Sequence, residues 1–399
     1  MAGIERAGAA SQHKFVFHGK AGQFFIICLV NLLLTIVTLG IYLPWAFVKS
    51  RRYIYENMEL NGVRFRYSAT GGALFLSLLL LMLFFIVTTA ICSAINPALA
   101  FLPVLAFILL LPLMMVKGLR YQAMMTSLNG VRFGFSCPSG RAMWVMLGLP
   151  VVLMLAGAVI LYVLGAVLGS PSSLDGLMVH IAVIVVAALV IFGVINGVSY
   201  SAWIRLLGNQ AKFGKYPFSV SVSTKRCVLL CTTALLILVP FIFVIGKLIS
   251  PFFMTLAMSA AMGGMDETSQ MALFLEYGPQ ITVSYLLYFA GILLASVFML
   301  TALRNLFINS LKLGEGVTFR SSISFIGMLL QIVVIALVSS VTFGLAYPWA
   351  KMRFMRYMAD NTTVVGDLDS LELVDTDDVP DTGFFTALSR GMMPAIPFI

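Results

Sequence analysis

Residues 38–46 read Thr38-Leu-Gly-Ile-Tyr-Leu-Pro-Trp-Ala46, and residues 342–350 read Thr342-Phe-Gly-Leu-Ala-Tyr-Pro-Trp-Ala350, one pattern displaced by 304 positions. The displacement holds downstream, where Lys49, Arg52 and Tyr53 correspond to Arg353, Arg356 and Tyr357, and Gly62 falls on Gly366. Two copies of one element bracket everything between them. What lies between is a series of long apolar stretches, so the pattern belongs to an integral membrane protein assembled from duplicated units.

Composition agrees. Of 399 residues, 60% are hydrophobic and 10% charged, a balance foreign to soluble domains of this length. Apolar runs near the ~20 residues that span a hydrocarbon core cover Gly72–Ile95, Leu99–Val116, Ala142–Leu168, Ile181–Tyr200, Cys227–Leu248 and Ile281–Leu303. Two more, Gly22–Val48 and Ile323–Ala350, each hold one Pro-Trp-Ala block. The first is too long for a signal-peptide core and runs straight into a basic cluster, so it is expected to stay in the mature chain. Cys28, Cys92, Cys137, Cys227 and Cys231 lie mostly in or beside apolar runs and read as small buried hydrophobes.

Charge orients the chain. Lys49–Arg66, Lys117–Arg141, Arg205–Arg226 and Arg304–Arg320 are separated by even numbers of spans and together hold 17 of the 25 Lys and Arg residues. The opposite loops, near Ser93–Ala98, Gly169–His180 and Lys247–Gln280, hold only Lys247. The positive-inside rule puts the basic segments in the cytoplasm. The third opposite loop is expected to be long and mobile around Gly264.

The basic segments also repeat one another. Arg52-Tyr53 followed by Asn61-Gly-Val-Arg-Phe65 recurs as Arg120-Tyr121 followed by Asn129-Gly-Val-Arg-Phe133, and Pro44 maps to Pro112, all at an offset of 68. Weaker copies follow at Arg205 with Phe218 and at Arg304 with Phe319. Asn-Gly is a two-residue hairpin signal, and Val63, Phe65 and Tyr67 alternate with Arg64 and Arg66 as a half-exposed strand would. The expected fold is an all-α integral membrane protein of about eight membrane segments in quasi-repeated units, with short cytoplasmic strands or hairpins between them. The units are placed at 14–62, 63–130, 131–214, 215–316 and 317–366, within a polytopic domain 1–359 followed by an acidic, then apolar, tail 360–399.

Two topologies stay open. In one, the outer segments turn inside the membrane at Gly40–Pro44 and Gly344–Pro348, and six helices cross. In the other each is a full span, which makes eight crossings but puts Lys351, Arg353 and Arg356 on the side opposite the other cations.

Phe-x-Phe-x-Gly at Phe15–Gly19, the block Thr38–Ala46, and Lys49 with Arg52-Tyr53 resemble the YjgN family of bacterial inner-membrane proteins, a family of unknown function. The likeness covers most of the chain. It implies a multi-pass location in the bacterial inner membrane and brings no catalytic or binding residues.

Function must then come from the residues themselves. Gly40, Pro44, Trp45, Gly344, Pro348 and Trp349 have a plain structural meaning, a broken helix with an interfacial tryptophan beside lipid phosphates. Their functional meaning is a pseudo-symmetric gate, with Arg52, Arg120, Arg205 and Arg356 lining a cationic cytoplasmic vestibule. Gly193, Asn196 and Gly197 read as a close helix contact with an interhelical hydrogen bond. Ionisable residues within spans are scarce, which argues against ion-coupled transport.

No catalytic motif is present, and His13, His18 and His180 are dispersed in sequence. The expectation is therefore a non-enzyme without cofactor or metal: a transporter or channel-like protein for a small solute, or alternatively a non-transporting scaffold that organises lipids or envelope proteins. The net charge of +9 points to membrane phospholipids as partners rather than nucleic acid, and a homo-oligomer is allowed. The tail from Asp360 to Asp381 holds eight of the sixteen acidic residues and could fold back on the basic face. Residues Gly383–Ile399, with Phe384, Phe385 and Met392, are expected at the membrane surface.

Overall fold

The computed structural model describes residues 11–171, 173–264, 266–368, 374–375 and 383–390. Its order is a five-fold repetition of strand, helix, helix, strand. The first round is β1 (Gln12–Phe17), α1 (Ala21–Val37), α2 (Leu43–Glu56) and β2 (Met58–Leu60). The second is β3 (Val63–Tyr67), α3 (Gly71–Ile95), α4 (Leu102–Met124) and β4 (Thr126–Leu128). The third is β5 (Val131–Phe135), α5 (Ser139–Leu168), α6 (Leu174–Gln210) and β6 (Ala211–Phe213). The fourth is β7 (Tyr216–Val220), α7 (Thr224–Ala261), α8 (Glu267–Ser310) and β8 (Leu311–Leu313). The fifth is β9 (Val317–Ser321), α9 (Phe325–Val341), α10 (Tyr347–Asp360) and β10 (Thr362–Val365), before a short helix α11 (Phe384–Ser389).

The chain divides into two compact units, 1–151 with 201–222 and 304–399, and 152–200 with 223–303. All ten strands of the described residues belong to the first, where they close an antiparallel barrel in the order β1-β10-β9-β8-β7-β6-β5-β4-β3-β2. Sequence had suggested hairpins between helices; their closure into one barrel is the main addition. Tight turns join rounds: Asn61 (φ 51°) with Gly62 (φ 80°), and Asn129 (φ 50°) with Gly130 (φ 80°), have the paired positive φ of a type I′ hairpin. The ring closes where β1 and β10 pair, Gln12 opposite Val365 and Lys14 opposite Thr363.

Among the described residues, six helices are long and apolar enough to cross a membrane: Gly71–Ile95, Pro97–Met124, Ser139–Leu168, Gly176–Gln210, Thr224–Ala261 and Glu267–Ser310. The outer segments hold shorter apolar helices, Ala21–Val37 and Phe325–Val341. Each segment is a helical hairpin, α1–α2 and α9–α10, whose flanking strands lie in the barrel, with β1 and β2 directly paired. The chain reverses at Leu39 (φ 50°) and Gly40 (φ 93°), and again at Phe343 (φ 51°) and Gly344 (φ 85°). Pro44 and Pro348 do not kink these helices. They stand in the first turn of α2 and α10, where a missing N–H costs nothing.

A second correction concerns the loop expected over Lys247–Gln280. Helix α7 runs to Ala261 and α8 begins at Glu267, so most of that stretch is helical. In this second unit Gly291 gives room to Phe241, where an added Cβ would come within 2.9 Å of the ring.

Candidate binding lumen

Each round contributes one inward pair from its first and last strands, and in every case the two residues are direct cross-strand partners. The pairs are Phe15 with Leu60, Phe65 with Leu128, Phe133 with Phe213, Phe218 with Leu313, and Phe319 with Val364. Inward and outward residues alternate along a strand, so the same alternation turns Lys14, Arg64, Arg66, Lys312 and Arg320 outward into exposed positions. The barrel is thus apolar within and basic without.

Ten strands enclose more room than their side chains fill. The ring residues and the last turns of the adjoining helices surround a cavity of about 320 Å³. Phe15 and Phe65 have centroids 6.3 Å apart, Phe65 and Phe133 6.3 Å, and Phe133 and Phe213 4.8 Å, so aromatic rings run around much of the wall. Val364 and Met355 are almost wholly buried there. Leu368, three residues beyond β10, also reaches the cavity.

The polar side chains on this wall are Gln122, Thr126, Lys212, Arg304 and Thr362. Gln122 is 1% exposed and accepts a hydrogen bond of 2.7 Å from the Tyr67 hydroxyl at Oε1, which leaves Nε2 without a partner. Burial pushes the Tyr67 phenol above its ordinary range, so it stays a neutral donor. Arg304 is 6% exposed. Its Nη1 donates to Ser321 Oγ at 2.7 Å and its Nη2 to Thr362 Oγ1 at 3.0 Å, while Nε has no partner.

The arginine repeat has a different task. Arg52 donates to the backbone carbonyls of Tyr67 (3.2 Å) and Ala69 (2.7 Å), tying the end of α2 to the exit of β3. Arg205 does the same through the Val222 carbonyl. In the fourth round the partner is Asn305, whose Nδ2 donates to the Ile323 carbonyl at 2.8 Å. Arg304 is therefore one residue out of the register that sequence assigned to it. The turn at 314–316 has three residues where the others have two, and counting back across that turn would have found the shift.

Arg120 is half-buried with Nε unpartnered and lines a separate cavity of about 260 Å³ with Lys117, Tyr121 and Arg390. Arg356 is exposed. The four arginines are thus not gathered on one cavity wall.

Neither tryptophan of the repeated block lines the barrel cavity. Trp45 packs on Gly71 and on Phe75, 5.2 Å between ring centroids, and Trp349 lies beneath the Arg353 guanidinium at 5.9 Å. Gly40 and Gly344 are at the hairpin tips, and Pro44 and Pro348 are buried at the helix starts. In the second unit, a Cβ on Gly193 would come 2.6 Å from the Thr232 backbone and one on Gly197 would collide with Val228, so α6 and α7 touch there. Asn196, expected to bond between helices, bonds within its own, to Phe192 O at 2.8 Å.

The tail returns to the protein. Asp375 accepts from Arg132 N and Arg132 Nε, both at 2.9 Å. Helix α11 packs on α3 and α4, with Ser77 Oγ donating to Leu388 O at 2.6 Å; the side chains of Phe384 and Phe385 lie outside the described residues. Met392 lies outside the described residues.

A mostly helical protein with six membrane-length apolar helices, its helix pairs punctuated by the strands of one barrel with an apolar lumen, is the class that this fold and site define. The chain belongs to the family described as bacterial protein of unknown function (DUF898), whose model matches residues 12–384. Inner membrane protein YjgN of Salmonella typhimurium (strain LT2) is 47% identical over 388 residues, 97% of either chain. The proteins of that name from Escherichia coli O157:H7 and Escherichia coli K12 are 38% and 37% identical over 388 residues and the same share of either chain. No solved structure matches.

Proposed function

We propose that this is a multi-pass inner-membrane protein that carries or passes a small amphipathic solute, with the barrel lumen as the holding site on the cytoplasmic side. The largely apolar lumen is the observation that supports this. Protein interiors are close-packed, and a scaffold needs no cavity, whereas small-molecule sites are apolar concavities of about 300–1,000 Å³ with a few polar groups. The names of the relatives support the inner membrane, and the distribution of Lys and Arg supports a cytoplasmic barrel. Sparse charge within spans favours facilitated movement over ion coupling.

The outer hairpins complete eight membrane segments without two more crossings. Helices α1 and α9 have 17 residues each, ~25 Å of rise at ~1.5 Å per residue, short of a ~30 Å core. They enter from the basic side and return to it.

The test is transfer of a fluorescent single-chain amphiphile between protein-containing and acceptor liposomes. The proposal expects faster transfer than from protein-free liposomes, slowed by Leu128→Trp, which fills the lumen. Equal rates in all three preparations would leave the scaffold as the better account.

A further inference from the structure

Seven positions before the last strand of each round stand Arg51, Leu119, Ile204, Arg304 and Met355. Three of the five are apolar. Arg51 is covered by aromatic rings, its guanidinium 5.5 Å from both Tyr55 and Tyr67. Arg304 has no such cover and lines the lumen. Ser321 and Thr362 hold its two terminal nitrogens, no carboxylate is among its hydrogen-bond partners in the described residues, and Nε is unsatisfied. A cation taken out of water without a counter-charge is strongly disfavoured, and a buried N–H without an acceptor adds to the cost.

We propose that the lumen accepts a single-chain carboxylate amphiphile, its carboxylate on Arg304 Nε and its apolar chain along the phenylalanine ring. The inference rests on the lumen being a ligand site and names what fits it. The charge of Arg304 calls for an anion. Ser321 and Thr362 each take one N–H from a terminal nitrogen, which leaves Nε as the guanidinium nitrogen without any partner. The volume of about 320 Å³ and the wall from Phe15 to Phe319 suit one chain and exclude a diacyl lipid. Gln122 Nε2 offers a second, neutral donor elsewhere on the wall.

The experiment uses the full chain in nanodiscs of zwitterionic phospholipid and a dodecanoate carrying a terminal diazirine, with crosslinked peptides mapped by mass spectrometry. Labelling is expected on the strands that carry Phe133, Phe213 and Phe218. Unlabelled dodecanoate should compete at least ten-fold better than dodecanol. Arg304→Met should abolish that preference while dodecanol still competes, and Arg304→Lys should keep it. Size-exclusion profiles check folding, and if Arg304→Met does not fold, the preference of the unmodified protein decides alone. Equal competition by acid and alcohol, or a preference that survives in Arg304→Met, overturns the carboxylate assignment but leaves the lumen as a site. Absence of any barrel labelling overturns both.

Discussion

The barrel and the hairpin tips use the same apolar residue types in opposite directions. In the barrel, Val364 is 0% exposed and packs in one cluster with the ring residues. At the tips, Leu39 is 94% and Phe343 96% exposed, each on a residue with positive φ. An exposed, conformationally strained leucine has no stabilising role in water. At the same tips the backbone is internally satisfied: Gly40 N donates to Thr35 O, Ile41 N to Thr38 O, and Tyr42 N to the Thr38 hydroxyl, with Thr342 repeating the hydroxyl contact. A turn that satisfies its own backbone and shows only apolar side chains is built for lipid. The barrel is a water-driven core beside helices that rely on lipid.

A charge separates the two regions most sharply. Val364→Asp puts a carboxylate into the lumen wall and should cost several kcal/mol, seen as loss of the monodisperse protein in size-exclusion chromatography. Leu39→Asp should leave that profile intact and reduce photolabelling of the tip from lipid. If the two variants behave alike, the contrast between the regions is lost.

The joint between helices and barrel comes next. Arg52→Met removes two charge-assisted hydrogen bonds to carbonyls, an expected loss of ~1.5–3 kcal/mol, whereas Arg356→Met, at an exposed position, should change thermal stability little. At the tip, Gly40→Val places a β-branched residue at φ +93° and should cost ~1–2 kcal/mol. Pro44→Ala, at a helix start, should stay within ~0.5 kcal/mol. A larger effect of Pro44→Ala than of Gly40→Val in thermal melts would return the reversal to the proline. A small effect is also expected at Asp375. Its pair with Arg132 is solvent-accessible, so a double-mutant cycle of Asp375→Asn with Arg132→Ala should give ~0–1 kcal/mol, diminished by salt.

Much of the helical part was legible because a span is a local signal: all six membrane-length helices contain the apolar runs read from sequence. The hairpins at Asn61-Gly62 and Asn129-Gly130 were legible for the same reason. Closure of the barrel was not. Strands such as Met58–Leu60 and Thr126–Leu128 have three residues, too few for an alternation to show, and β1 finds β10 across most of the chain. The place of Arg304 was hidden by one extra turn residue. Sequence periodicity marked Pro44 and Trp45 because they repeat; the lumen repeats only as an apolar pair per round, a pattern that membrane segments blur.

Closure by the two terminal strands is the central claim, and a disulfide tests it most directly. In a background without the five native cysteines, Lys14→Cys with Thr363→Cys joins residues that face each other across the β1–β10 seam. The control Lys14→Cys with Val364→Cys is shifted by one residue onto opposite faces, and Glu59→Cys with Arg64→Cys reports the neighbouring β2–β3 hairpin. Mild oxidation followed by proteolysis should leave the terminal fragments covalently joined for 14/363 and free for 14/364. Efficient crosslinking of 59/64 with none at 14/363 would contradict the closed barrel, and the lumen with it.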